Sequence, residues 1–139
     1  MISALDSSVI LDVVTDDPRH AAASEAALRE ALASGRLVVC ECVLAEVCPA
    51  LEGSGLLEEF LTDWQLEFVP SSQESATMAG RQFAAYLARG GRRGRVVADF
   101  LIGAHAAVHA DRLLARDRGF LRDYFAGLWV VDPAAGQPQ

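Results

Sequence analysis

Apolar positions along this chain fall into two kinds of run. Five runs are short: 1–5, 37–40, 66–69, 112–115 and 128–131. Apolar runs of that length, bounded by Gly, Pro, Asp or Ser, predict buried strands. The others have helical spacing. Residues 20–34 are alanine-rich and stop at Gly35, residues 56–64 are amphipathic, and residues 71–89 open on a Ser-Ser-Gln-Glu start that suits a capping box. Residues 43–48 read as helix until Pro49 bends or ends it, and a short helix is expected over 121–125. Ser7 or Ser8 is expected to cap the helix after the first strand. Strands alternating with helices imply an α/β fold with a parallel sheet covered on both faces.

One helix stands apart. Residues 97–110 are apolar on nearly every face, which places the segment inside the protein. Asp99 lies near its start, and a carboxylate there needs an arginine, a helix N-terminus or a metal ion to meet it.

Composition narrows the class. The chain has 139 residues, 52% hydrophobic and 22% charged, enough for one core and too apolar for disorder. One domain over 1–133 with a frayed tail at 134–139 is expected. No apolar run reaches membrane-spanning length and no basic lead introduces a signal core, so a soluble cytoplasmic protein is expected. Cys40, Cys42 and Cys48 cluster without a second Cys/His pair at finger-like spacing, so reduced thiols in or near the core are expected. The net charge is −7, and every basic residue is arginine. Residues 81–122 hold nine arginines against three acids, while the remainder holds three against sixteen. An acidic protein with a basic half can meet a polyanion through that half, or can simply offset its own charge.

Four acids are marked out by context. Asp6 and Asp117 fall at strand ends, whereas Glu46 and Asp99 lie in apolar helical surroundings. The C-terminal ends of parallel strands share one edge, where ligand sites form. Clustered carboxylates repel one another, and a divalent cation relieves that repulsion. Magnesium suits one or two carboxylates, waters and a substrate phosphate, and it can activate water against a phosphodiester. Each acid also has an ordinary explanation: Asp6 as a helix cap, Asp117 paired with Arg116 or Arg118, Glu46 and Asp99 in ion pairs.

The ordered set of segments 5–10 (Leu-Asp-Ser-Ser-Val-Ile), 44–47 (Leu-Ala-Glu-Val), 98–105 (Ala-Asp-Phe-Leu-Ile-Gly-Ala-His) and 113–120 (Leu-Leu-Ala-Arg-Asp-Arg-Gly-Phe) resembles the PIN-domain family, and most of all the VapC toxins of bacterial toxin–antitoxin pairs. The resemblance implies a three-layer α/β/α fold, about five strands, and a magnesium-dependent endoribonuclease, with manganese as a substitute. It implies a homodimer and a VapB-like antitoxin whose C-terminal segment covers the acidic groove, with DNA contacted only through that antitoxin. On this likeness Asp6 and Asp99 are the principal metal ligands, Glu46 and Asp117 complete the pocket, and Ser8 supports the first acid. One departure is Ala115, where many relatives carry Thr or Ser two residues before the last acid.

Other features are weaker. His105 and His109 share a helical face at a zinc-compatible spacing, but in so apolar a helix a hydrogen-bonded core or interface role is expected. Arg116 and Arg118 beside the last acid, and Arg92 and Arg93 in the Gly/Arg loop, are candidates to hold RNA phosphates. Trp64, Trp129, Tyr86 and Tyr124 form no stacking series and read as packing residues. The competing reading is a non-catalytic PIN-like binding domain that keeps the acids only to receive an antitoxin arginine. A phosphatase or receiver domain fits poorly, since position 8 is Ser and the chain has no lysine.

Overall fold

The five short apolar runs become five parallel strands. The computed structural model describes residues 1–92 and 96–134. Strands β1 (Ile2–Leu5), β2 (Arg36–Val39), β3 (Leu66–Phe68), β4 (Arg112–Leu114) and β5 (Val130–Val131) form one sheet in the order β3-β2-β1-β4-β5, every neighbouring pair parallel. Helices α1 (Ser7–Val14), α2 (Ala21–Ser34), α3 (Glu41–Val47), α4 (Leu56–Asp63), α5 (Gln73–Ala88) and α6 (Val96–His109) connect them, with 3-10 turns over Cys48–Leu51 and Gly119–Asp123. The result is a three-layer α/β/α domain.

Strand order decides where a site can form. The chain winds outward from β1 through β2 to β3, then returns over α5 and α6 to lay β4 on the other flank of β1. Winding direction therefore reverses between β1 and β4, and their C-terminal ends part into a crevice. Asp6 follows β1 directly, and residues 115–118 follow β4.

Two local expectations are corrected. Asp6 itself caps α1, in an extended conformation with its side chain accepting from Ser8 N–H. The two serines instead donate their hydroxyls to acids, Ser7 to Glu46 and Ser8 to Asp6. The predicted helix over 121–125 is a 3-10 turn two residues earlier. The α5 capping box is present, closed by Ser72 and Ser75.

The core is aliphatic at the sheet and aromatic beneath α6. Phe100 is fully buried, with the rings of Phe83, Tyr86, Phe120, Tyr124 and Phe125 around it. Tyr86 and Tyr124 are thus packing residues, whereas Trp129 is half exposed with the Arg112 guanidinium over its ring. Gly103 lets the turn after β4 approach α6: a Cβ there would lie 2.8 Å from the Phe125 ring and 3.2 Å from Leu121. Among the described residues no helix is long and apolar enough to cross a membrane.

Candidate metal-dependent nuclease site

Asp6 sits at the foot of the crevice and is fully buried. Its Oδ2 accepts from Ser8 N–H at 3.2 Å and from the Ser8 hydroxyl at 2.5 Å, and the α1 N-terminus favours its negative charge. Ser8 Oγ also accepts from the Arg116 N–H at 3.1 Å, so one hydroxyl ties the end of β1 to the chain leaving β4. Asp6 Oδ1, buried, has no hydrogen-bond partner among the described residues.

Asp99, in the first turn of α6, lies across from it. Arg118 reaches into the space between them: its Nη2 is 3.3 Å from Asp99 Oδ1, and its Nε is 4.0 Å from Asp6 Oδ2. Glu46, near the end of α3, joins this group. Desolvation raises the proton affinity of its carboxyl, the Asp6 and Asp99 charges raise it further, and Ser7 and Arg118 act against them. Glu46 is exposed by surface area, so the two neighbouring carboxylates are the more telling cause. Asp6, Glu46 and Asp99 are therefore close enough to feel one another's charge, with one guanidinium among them.

The fourth expected acid is placed differently. The Asp117 side chain is 83% exposed and pairs with Arg116 Nη1 at 3.5 Å. Its backbone is left-handed at φ 59°, and its N–H donates to Asp132 Oδ2 at 3.2 Å. With Ala115 buried and lacking a hydroxyl, Asp132 supplies the polar support at this turn.

The two arginines flanking Asp117 are committed elsewhere than to solvent. Arg116 makes a two-pronged pair with Asp12, Nε to Oδ2 at 2.9 Å and Nη2 to Oδ1 at 2.8 Å. Asp12 is buried and also accepts from Ser24 Oγ at 2.7 Å. Burial pushes the Asp12 carboxyl up, but the hydrogen bonds and charge of Arg116, with Ser24, more than offset it and leave the carboxyl below its ordinary value. Arg116 is thus a structural clamp rather than a free phosphate ligand. Arg92 is exposed, and Arg93 lies outside the described residues.

A PIN-domain family model matches residues 4–125. The chain belongs to the PIN-domain family. No curated protein sequence matches it. Solved structures do: VapBC2 of Rickettsia felis bound to a DNA fragment from its promoter has a TM-score of 0.73 at 18% identity, over 95% of this chain and 98% of that one. DNA-bound VapBC of Salmonella typhimurium gives 0.67 at 17%, over 96% and 98%. FitAcB of Neisseria gonorrhoeae gives 0.66 at 18%, over 96% and 99%. At these identities the likeness is one of fold.

The acidic crevice of this PIN domain fits a divalent cation. A buried carboxylate oxygen without a hydrogen-bond partner is a costly arrangement that a cation would relieve. The donors are all carboxylate oxygens, which suit magnesium or manganese rather than zinc. A second cluster, Cys40, Glu41 and Cys42, is the group of ligand atoms lying within 4.8 Å of one another among the described residues. It does not suit a metal. Glu41 is engaged by Ser71 N–H at 2.6 Å and Ser71 Oγ at 2.8 Å, and burial first, then Cys40 and the nearby acids, push the Cys42 thiol up to about 11.

The histidines behave as core residues. His105 Nε2 lies 2.6 Å from the Val69 carbonyl, and burial holds its proton affinity down. His109 packs its ring 5.0 Å from that of His105. Asp12 is the residue sequence reasoning missed. Its signal was of the same kind as that of Asp99, an acid inside the apolar run 9–14.

Proposed function

We propose that this PIN domain is a metal-dependent endoribonuclease acting as the toxin of a toxin–antitoxin pair. The observation that carries this reading is the unpartnered, buried Asp6 Oδ1 at the β1/β4 crevice, with Asp99 and Glu46 beside it. PIN domains are nucleases as a family. Asp6 and Asp99 would hold magnesium or manganese, and Asp117 would join them only by turning away from its solvent-facing pair with Arg116. A cation bound there offsets charge on a phosphodiester and makes a water easier to deprotonate.

The chain's own residues supply the rest. Ser8 fixes the Asp6 carboxylate in one orientation. Glu46, with its raised proton affinity, takes a proton from the attacking water. Arg118, beside the acids, and the exposed Arg92 are the cationic side chains that would meet the RNA backbone.

Partners follow the same reading. The Rickettsia and Salmonella neighbours are VapBC assemblies on DNA, which supports a VapB-like antitoxin here. A groove whose apolar lining is Val13, Val14, Leu51, Leu56, Phe60 and Trp64, with the acids Glu59 and Asp63 beside them, suits an amphipathic antitoxin segment. On the same reading, DNA contact falls to the antitoxin. The reading includes a homodimer, and the cytoplasm, where RNA is accessible, is the compartment it requires.

Arg118 also favours a second reading, a non-catalytic domain whose acids receive a guanidinium. Purified protein incubated with total RNA separates the two. Discrete cleavage in magnesium that stops with chelator supports the nuclease; a folded protein that cuts nothing in magnesium or manganese supports the binding module.

A further inference from the structure

Two arginines two residues apart are bonded in opposite ways. Arg116 and Asp12 form a satisfied pair, with two hydrogen bonds of 2.8 and 2.9 Å and Ser24 closing the carboxylate. Arg118 has a comparable charge environment and none of that fit. Its Nε is buried without a hydrogen-bond partner among the described residues, 4.0 Å from Asp6 Oδ2. Its Nη2 stands 3.3 Å from Asp99 Oδ1, and its Nη1 makes a long bond of 3.4 Å to the Asp117 carbonyl. Asp6 Oδ1 is left unpartnered beside it.

A guanidinium evolved as a permanent partner for a buried carboxylate takes two-pronged geometry, as Arg116 does. Arg118 neutralises the crevice by charge while leaving a donor and an acceptor unsatisfied. Its side chain is 27% exposed, so a path to solvent is open, whereas Asp6 has none. Those are the properties of an occupant that can be exchanged.

We infer that Arg118 is an internal counter-ion that occupies the acidic crevice in the metal-free protein and is displaced from Asp6 and Asp99 when a divalent cation binds. This rests on the metal-dependent reading above. The exchange keeps positive charge against Asp6 and Asp99 in both states, because a guanidinium leaves as a doubly charged cation enters. It also makes the apparent metal affinity lower than the intrinsic one, by the fraction of molecules in which Arg118 is out. Once displaced, the guanidinium stands at the lip of the crevice, where it can meet a phosphate.

The test is metal binding without RNA. Chelator-stripped protein is titrated with Mn2+, and free Mn2+ is read by electron paramagnetic resonance, for wild type, Arg118→Gln and Asp99→Asn. Removal of the competitor predicts that Arg118→Gln binds Mn2+ about tenfold more tightly than wild type, while Asp99→Asn binds more weakly than wild type. Equal or weaker binding by folded Arg118→Gln, with wild type still binding at a site sensitive to Asp99→Asn, overturns the exchange and leaves the metal site standing. Absence of binding to any form, or binding indifferent to Asp99→Asn, overturns both. A second readout uses wild type alone, should the variant fail to fold. The Arg118 Nε–H resonance should move into fast exchange with water as Mg2+ is added, and a signal unchanged at saturating Mg2+ refutes the displacement.

Discussion

Arg116 grips Asp12 at 2.8 and 2.9 Å while its own backbone N–H donates to Ser8 Oγ at 3.1 Å, the hydroxyl that holds Asp6. An ion pair on α1 is therefore linked, through one residue's main chain, to the acid that caps the same helix. Position, not charge in the crevice, is what Arg116 contributes. Removing it leaves the buried Asp12 without its counter-ion. Arg116→Ala should lose roughly 3 kcal/mol of stability in urea unfolding, the cost of breaking one side of a buried pair. A loss under about 1 kcal/mol, the range of exposed pairs, would contradict the clamp.

The same pair sets an acid limit on stability. Asp12 has a folded-state proton affinity below its unfolded value of 3.8. Its contribution is therefore complete above that value and is lost as pH falls through the lower, folded one. Urea unfolding at neutral pH and near pH 3 should show wild type losing more stability than Asp12→Asn, which lacks this titration. Equal losses in the two proteins would show that Asp12 carries none of the pH dependence.

Much of this was legible in the sequence, and the reasons differ by residue. The inner strands were visible because a strand buried on both faces leaves a continuous apolar run, as at 37–40, whereas the exposed edge strand β3 shows through its short run ending at Pro70. Asp6 and Asp99 were visible because acids in apolar surroundings conflict with local pattern. The roles of Arg116 and Arg118 were not. Both flank the same acid, and only the winding reversal between β1 and β4 sends one guanidinium to Asp12 and the other to Asp99. Asp117 was placed in the pocket by its motif, yet its left-handed backbone leaves its carboxylate largely in solvent. Asp132, which holds the Asp117 N–H, directly follows β5 and carries the same strand-end signature as Asp6, but lies outside the motifs that marked the other acids.

Ser8 should act through Asp6 rather than through the fold. Ser8→Ala removes the hydroxyl that donates to Asp6 and accepts from Arg116 N–H. Loss of such a supporting hydrogen bond typically costs about 10- to 100-fold in metal affinity or activity. We expect a drop of that order in Mn2+ affinity with the thermal midpoint shifted little. An unchanged affinity would remove Ser8 from the site.

Close packing of the last turn onto α6 gives a separate prediction. Gly103→Ala places a methyl 2.8 Å from the Phe125 ring, and the crowded rings around Phe100 restrict its retreat. Overpacking of this kind costs about 1–3 kcal/mol, read as a lower denaturation midpoint. A variant as stable as wild type would show that the Phe125 turn yields freely.

If Asp6 and Asp99 together make a metal-dependent ribonuclease site, total RNA in magnesium should separate antitoxin-free wild type from Asp99→Asn prepared in parallel. Wild type should give discrete products and the variant should lose at least about 100-fold, the scale seen when one preorganised electrostatic group at a reacting centre is removed. Equal cleavage by the two proteins would contradict such a site.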